Sequence, residues 1–184
     1  MGVDRKQTKY VFHPIYLLFA IIMWVLVVLW LGVIFSLSAE TGDVSALRSQ
    51  SLVDWLSGAP ALFTNEYLLR KSAHIVEFLI LSVLAYVAMF ATKHIQSDVH
   101  WDGSQLIQIK SDNEVYIAFS LWITTLSAVA DEYHQIFVPG RSSSLFDVFL
   151  DLSGAFTLML IIRVIVSIHV YLKDKQNPIE MSAS

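Results

Sequence analysis

The 184-residue chain is 55% hydrophobic and only 15% charged, whereas about a quarter of the residues in a soluble domain are charged. Its formal net charge of −4 argues against nucleic acid as a partner. The chain has no cysteine, so disulfide bonds and thiolate chemistry are excluded, and a metal site would need histidine, aspartate and glutamate ligands. At this length a single compact unit is expected.

Four long apolar segments predict an all-α, polytopic membrane protein with a four-helix transmembrane domain over 15–172. The first segment, 15–35, carries no charge, and a helix of about 20 apolar residues crosses the bilayer core. Its flanking residues would also suit a signal peptide, but the apolar core of a secretory signal is only about 7–15 residues long, so a retained anchor is favoured. The other predicted spans are 72–92, 115–138 and 145–172.

Two connections between these spans carry structural signals. Pro139 and Gly140 should end the third helix, because proline cannot continue a helix and glycine permits the turn. The turn is short, so the third and fourth helices should form an antiparallel hairpin. The 36–71 segment is either an ordinary surface loop or contains a short helix on the membrane surface. The apolar residues of that helix would be Leu47, Leu52, Val53, Trp55 and Leu56.

Lysine and arginine are unevenly distributed between the two sides of the predicted bundle. Seven lie in the segments 1–14, 92–114 and 173–184, which would share one side, and four lie in 36–71 and 139–144 on the other side. Positive residues are enriched in cytoplasmic loops. Both termini are therefore predicted to be cytoplasmic, and 92–114 is predicted to be a polar cytoplasmic loop.

Several ionisable side chains lie near the predicted extracytoplasmic ends of the second, third and fourth helices. They are His74, Glu77, Asp131, Glu132, His134, Asp147 and Asp151. The second helix reads HxxE going inward and the third reads DxxH going outward, so antiparallel packing predicts a layer of imidazoles above a layer of carboxylates. Ionisable groups inside a bilayer are costly, and they usually mark functional sites.

Structural roles compete with a functional role at some of these positions. Ser144 and Asp147 fit a capping box at the start of the fourth helix, which cannot account for the deeper Asp151. Glu77 and Asp131 could pair with a nearby histidine or arginine to lock the helices together. Such polar bonds in membranes contribute on average only about 0.6 kcal/mol. A functional pocket is therefore favoured over structural pairing.

Basic residues beside these acids predict an anion-binding function. Arg141 can bind a carboxylate or a phosphate through two bonds, and the free amides at the start of a helix also favour an anion. Arg70 could assist, whereas Lys71 is more simply explained as an anchor to lipid head groups. Arg163, within the fourth span, is expected to snorkel or to form a pair, which is a structural role.

Three stretches carry motifs with defined spacing. Residues 70–78 match R-K-x-x-H-x-x-E-[YF], residues 130–141 contain D-E-x-x-Q-x-F-x-x-x-R, and residues 145–154 contain D-x-x-x-[DN]-x-x-G. Together with the phrase Phe35-Ser36-Leu37-Ser38 at the end of the first helix, these motifs resemble the VanZ-like family of bacterial membrane proteins.

The resemblance implies a multi-pass protein of the bacterial cytoplasmic membrane that acts in the cell envelope. The family takes its name from a protein that gives low-level resistance to the glycopeptide teicoplanin, so a role in such resistance or in envelope modification is expected, although the resemblance supplies no reaction. The catalytic candidates are His74, Glu77, Asp131, His134 and Asp151. The substrate-binding candidates are Arg70, Glu132, Gln135, Arg141 and Asp147.

Three kinds of function fit these residues. In an outer-leaflet enzyme, Glu77 or Asp131 would act as the base, a histidine would shuttle the proton and Arg141 would hold an anionic group. In a variant, His74, Glu77, Asp131 and His134 would hold a divalent metal, although their spacing matches no established metal motif; otherwise no cofactor is expected. The alternatives are a non-enzymatic binding protein and a proton-linked transporter or lipid carrier. Membrane lipids and an envelope precursor, lipid or glycopeptide ligand are the expected partners, and the chain could form a homo-oligomer.

Overall fold

The computed structural model of the chain describes residues 10–55, 65–98 and 105–176. These residues form five helices and one short antiparallel sheet, so the expected all-α class is confirmed. In chain order the elements are β1 (Tyr10–Phe12), α1 (Pro14–Ser38), α2 (Gly42–Trp55), α3 (Glu66–Lys93), β2 (Gln96–Asp98), α4 (Gln105–Gln135) and α5 (Leu145–Gln176).

Three of the described helices are long and apolar enough to cross a membrane, namely Pro14–Ser38, Glu66–Lys93 and Leu145–Lys175. They contain the first, second and fourth predicted spans. The remaining long helix, α4, is less apolar, because its buried face carries serine, threonine and acidic side chains. A crossing by α4 and the cytoplasmic position of both termini therefore stay predictions.

The segment 92–114 is not the continuous loop expected from its polarity. β2 pairs with β1, with Tyr10 opposite Asp98, and α4 already begins at Gln105. Because β1 precedes α1 and β2 follows α3, this ladder holds the start of α1 and the end of α3 at the same end of the bundle. Polarity alone could not distinguish an exposed helical extension from a loop, since both are solvated.

The far end of α4 also differs slightly from the prediction. The helix ends at Gln135 rather than at 138, and the N–H groups of Phe137 and Val138 instead form tight-turn hydrogen bonds with the carbonyls of His134 and Gln135. The residue before a proline is disfavoured in a helical conformation, which explains an early end before Pro139. The turn itself is confirmed, with Gly140 at a φ of +73°.

Of the two alternatives left open for 36–71, the structure contains the short helix, α2, although Leu56 lies outside the described residues. The burial pattern of α2 is the reverse of that of a surface helix on a soluble protein, because small polar residues are buried and large apolar residues are exposed. Ser45 and Ser49 are buried, whereas Leu47 and Trp55 are exposed. An outward apolar face of this kind suits a helix that lies in a membrane interface.

The helix α3 is the centre of the bundle, because it packs against α1, α4 and α5. Its buried face includes Ala85, Ala88 and Ala91, and small residues allow helices to approach closely in a membrane. Near the other end of α3, Gly154 of α5 lies against Ile75. A Cβ atom at Gly154 would lie 2.6 Å from Cγ2 of Ile75, so a glycine at this position lets α5 lie directly beside the His74 turn of α3.

Candidate functional site

Four helix ends meet at one end of the bundle, which we call the polar end. They are the last turns of α1 and α4 and the first turns of α3 and α5. Arg141, which follows α4, donates from Nη2 to the carbonyl of Leu37 in α1 at 2.9 Å. Lys71 of α3 forms an ion pair with Asp147 of α5. The candidate residues from three motifs distant in the chain are therefore brought to one end of the molecule.

His74 and Glu77 lie one turn apart on α3 and face each other. Nδ1 of His74 is 3.3 Å from Oε2 of Glu77, but these two atoms do not have hydrogen-bond geometry. The indole N–H of Trp30 donates to the backbone carbonyl of Glu77 at 2.9 Å, which fixes α1 against this turn of α3. The imidazole and the carboxylate are thus close enough to exchange a proton after a small rotation.

Asp131 is the most deeply buried acid of the site, at 1% exposure. Its Oδ2 accepts a hydrogen bond from Nε2 of Gln135 at 2.8 Å, whereas its Oδ1 is buried and has no hydrogen-bond partner among the described residues. The hydroxyl of Ser38, at the end of α1, lies near Asp131 without the geometry of a hydrogen bond. One oxygen of this carboxylate therefore remains available.

Asp151 of α5 completes the group of buried acids, at 2% exposure. The charges of Glu77, Asp131 and Asp151 all act on His74. One imidazole therefore lies among carboxylates from three different helices. His74 and the three carboxylates come from the HxxE, DxxH and DxxxD motifs, which the helices place at a similar depth.

His134 does not join them. It is exposed, whereas its neighbours Glu132 and Gln135 are buried. His134 and Gln135, three and four residues after Asp131, project from the helix on opposite sides of the Asp131 side chain. The packing of α4 turns Gln135 inward and leaves His134 outside. The expected layer of two imidazoles is therefore wrong for His134, and Gln135 contacts Asp131 in its place.

The capping box predicted at the start of α5 is only half correct. The Ser144 hydroxyl does accept a hydrogen bond from the N–H of Phe146 at 3.2 Å. The N–H of Ser144, however, donates to Oε2 of Glu132 at 3.0 Å, and Asp147 forms an ion pair with Lys71 instead. Glu132, at 6% exposure, thus links α4 to α5, and Lys71 is a partner of Asp147 rather than only a lipid anchor.

Four cations surround the outer part of the site, and we call them the basic rim: Arg48, Arg70, Lys71 and Arg141. Arg141 donates from Nε to the carbonyl of Glu40 at 3.0 Å as well as to Leu37, so much of its donor capacity is used to hold the end of α1. Burial lowers the pKa of the Arg141 guanidinium, and the neighbouring charges of Arg70 and Arg48 lower it further, while Asp131 opposes them. The guanidiniums of Arg48 and Arg70 therefore both lie within electrostatic range of Arg141.

Buried polar atoms without a hydrogen-bond partner are concentrated at the polar end. Among the described residues there are seven such side-chain atoms, and six of them lie here, the seventh being the hydroxyl of Tyr116. The six, which we call the polar cluster, are Ser38 Oγ, Glu40 Oε2, Arg70 Nε, His74 Nδ1, Glu77 Oε2 and Asp131 Oδ1. Most buried polar groups in proteins have a partner, so a concentration of this kind indicates a place that takes water or a ligand.

Sequence reasoning missed Ser38, Glu40 and Arg48 as members of the site. Glu40 forms an ion pair with Arg48 of α2, and both residues precede the motifs by more than twenty positions. Ser38 ends an apolar segment, and a small polar residue at such a place does not by itself indicate a functional site. The phrase Phe35–Ser38 was the one available signal, and only through the resemblance.

The residues weighed as metal ligands are not grouped as a metal site in the described part of the chain. In the part of the chain that the structure describes, no three His, Asp or Glu side chains are grouped so that they could hold a metal ion. The exposed position of His134 removes one of the four suggested ligands from the cluster. The metal variant therefore gains no support from the geometry.

Together these features define a helical membrane protein with a buried polar cluster at one end of its bundle. The chain belongs to the VanZ/LLP1 family, whose model matches residues 15–166. The match covers all three motifs and every residue of the polar cluster. Neither the curated proteins nor the solved structures include a significant match to the chain.

Proposed function

We propose that the chain is a multi-pass protein of the bacterial cytoplasmic membrane whose polar cluster faces the extracytoplasmic side. There it carries out acid–base chemistry on an outer-leaflet substrate and so contributes to resistance to teicoplanin-type glycopeptides or to envelope modification. The single observation that supports this most strongly is the concentration, in the polar cluster, of buried polar atoms that have no hydrogen-bond partner among the described residues.

Glu77 or Asp131 acts as the general base in this proposal, and His74 is the histidine that moves the proton. His74 contacts Glu77 at 3.3 Å, a distance over which a proton can pass once the substrate aligns the two groups. Burial among apolar helices favours the neutral form of a carboxyl group, and neighbouring charges separate the roles of paired acids. Asp151 supplies a further charge near the imidazole.

A non-enzymatic binding protein would use the same residues, and turnover of an envelope substrate by the purified protein distinguishes the enzyme from it. Transport is less well supported. Hydroxyls do continue from the polar cluster along the buried face of α4, but Ser120, Thr124 and Ser127 donate to carbonyls of their own helix. These short residues are explained by close helix packing, and not by a proton path.

The proposal is tested by teicoplanin and vancomycin susceptibility of a sensitive Gram-positive host. The host expresses the wild type, Glu77→Gln or Asp131→Asn at matched membrane levels. Glu114→Gln is the matched control, because Glu114 is a carboxylate paired with Arg163 away from the polar cluster. Protection that is lost in both cluster variants and kept in the control supports the acid–base role. Protection that survives both changes excludes it.

A further inference from the structure

The charges at the polar end are ordered by depth. Arg70 lies in the first turn and a half of α3 and Glu77 lies seven positions further along, which is roughly 10 Å in a helix. On α5, Asp147 pairs with a rim lysine, and the buried Asp151 lies one turn deeper. On these two helices the cations therefore lie near the helix start, and buried acids lie deeper.

Three of the four rim cations already have partners. Arg48 forms an ion pair with Glu40, Lys71 forms one with Asp147, and Arg141 is bound to two carbonyls. Arg70 is different. Its Nε is buried without a hydrogen-bond partner, and it forms no ion pair within the described residues. A donor of this kind, within electrostatic range of the Arg141 guanidinium, suits an anion with several acceptor oxygens.

The polar cluster also offers unpartnered polar atoms that are almost fully buried. Ser38 is 0% exposed and its hydroxyl has no partner among the described residues. Asp131, at 1% exposure, leaves Oδ1 free in the same sense. A hydroxyl can donate to a phosphate oxygen, and a carboxylate can accept from a hydroxyl of the same headgroup. Within the described residues, the polar end therefore offers two donors without a hydrogen-bond partner, Arg70 Nε and the Ser38 hydroxyl.

We propose that the basic rim binds the phosphate of an outer-leaflet lipid headgroup, and that Arg70 is the donor reserved for it. This rests on the proposed function, for which it names the substrate class. The helix α2, which carries Arg48, presents Leu47 and Trp55 outward at 64% and 81% exposure. Exposed tryptophan and apolar residues beside a basic residue are typical of a helix at the level of lipid phosphates. In this proposal the basic rim therefore lies at the level of the lipid phosphates.

The test uses the purified full-length protein in a neutral detergent, with lipid binding followed by native mass spectrometry. The probes are dioleoyl phosphatidic acid, dioleoylglycerol, which has the same chains without the phosphate, and inorganic phosphate as a competitor. The variants are Arg70→Gln, Arg70→Lys and the control Arg163→Gln, which removes a guanidinium that pairs with Glu114 instead. Circular dichroism establishes that each variant is folded.

We expect saturable binding of phosphatidic acid that Arg70→Gln weakens by about tenfold or more, since hydrogen bonds from charged donors are among the strongest. Arg70→Lys retains the charge without the fork and should give an intermediate affinity. Arg163→Gln should stay within about twofold of the wild type.

Equal affinity of the wild type and Arg70→Gln, or equal binding of dioleoylglycerol, would overturn the proposal. Inorganic phosphate that binds alone as tightly as the lipid would overturn the lipid assignment and make the ligand a soluble anion. The susceptibility assay is independent of these results. If Arg70→Gln loses lipid binding while Glu77→Gln keeps the resistance, the acid–base role is refuted and the lipid-binding proposal stands.

Discussion

Replacing Arg141 by glutamine should lower the stability of the protein even in the absence of any ligand. Its guanidinium donates to the carbonyl of Leu37, in the last turn of α1, and to that of Glu40, two residues beyond the helix, at 2.9 and 3.0 Å. Neither carbonyl has a partner within the helix. Bonds from a charged donor contribute about 1.5–3 kcal/mol each, so the two together contribute about 3–6 kcal/mol. Because Arg141 is only partly buried, we expect a loss near the lower bound, about 3 kcal/mol.

The free energy of unfolding is measured by titration of dodecyl-maltoside micelles with sodium dodecyl sulfate, followed by far-ultraviolet circular dichroism. Arg163→Gln is the matched control. Arg163 and its partner Glu114 have side chains that are 56% and 38% exposed, and exposed ion pairs contribute at most about 1 kcal/mol. Equal losses in the two variants, or no loss in Arg141→Gln, would refute the structural role given to Arg141.

Three further predictions concern packing, capping and topology. Gly154→Leu should lower the unfolding free energy by about 1–3 kcal/mol, because the added side chain forces α5 away from α3. The control Gly32→Ala has no atom within 4 Å of the added Cβ among the described residues, so it should be neutral or stabilising by up to about 1 kcal/mol. The same titration measures both variants, and a neutral Gly154→Leu would contradict the close approach of the two helices. Glu132→Gln should cost about 1 kcal/mol in that titration by weakening the bond to the start of α5, and an unchanged midpoint would show that the bond contributes nothing. Since the chain has no cysteine, Ser51→Cys should react in intact cells with a membrane-impermeant maleimide and Ser111→Cys should not; the reverse pattern would invert the proposed orientation.

The convergence of α3, α4 and α5 could be predicted because helical spacing and antiparallel order together determine depth. His74, Glu77 and Asp131 follow from that argument, and their helices do meet. The rotation of each helix could not be predicted in the same way. Residues three and four positions after Asp131 both lie near its face, so only the packing of α4 decides that Gln135 turns inward and His134 outward.

The contacts made by the connecting segments could not be predicted from the sequence either. The interpretation of Arg141 as an anion-binding residue stays a prediction, and the structure adds that Arg141 holds the end of α1, because the turn at Gly140 lies against Gly42. A Cβ at Gly42 would overlap the carbonyl of Gly140, and the N–H of Gly42 donates to Pro139. Contacts between segments about a hundred residues apart leave no periodic signal, so the roles of Arg141 and of α2 appear only in the folded chain.

The central claim is that the buried carboxylates of the polar cluster are kept for function and not for stability. It is tested most directly by the unfolding free energies of Asp131→Asn and Glu77→Gln in the detergent titration. Burying a charge without a full set of partners is costly, and functional sites often lower stability. We therefore predict that both near-isosteric variants are as stable as the wild type or more stable. A loss of about 3–5 kcal/mol in either variant, as expected when one partner of a buried structural pair is removed, would contradict the account.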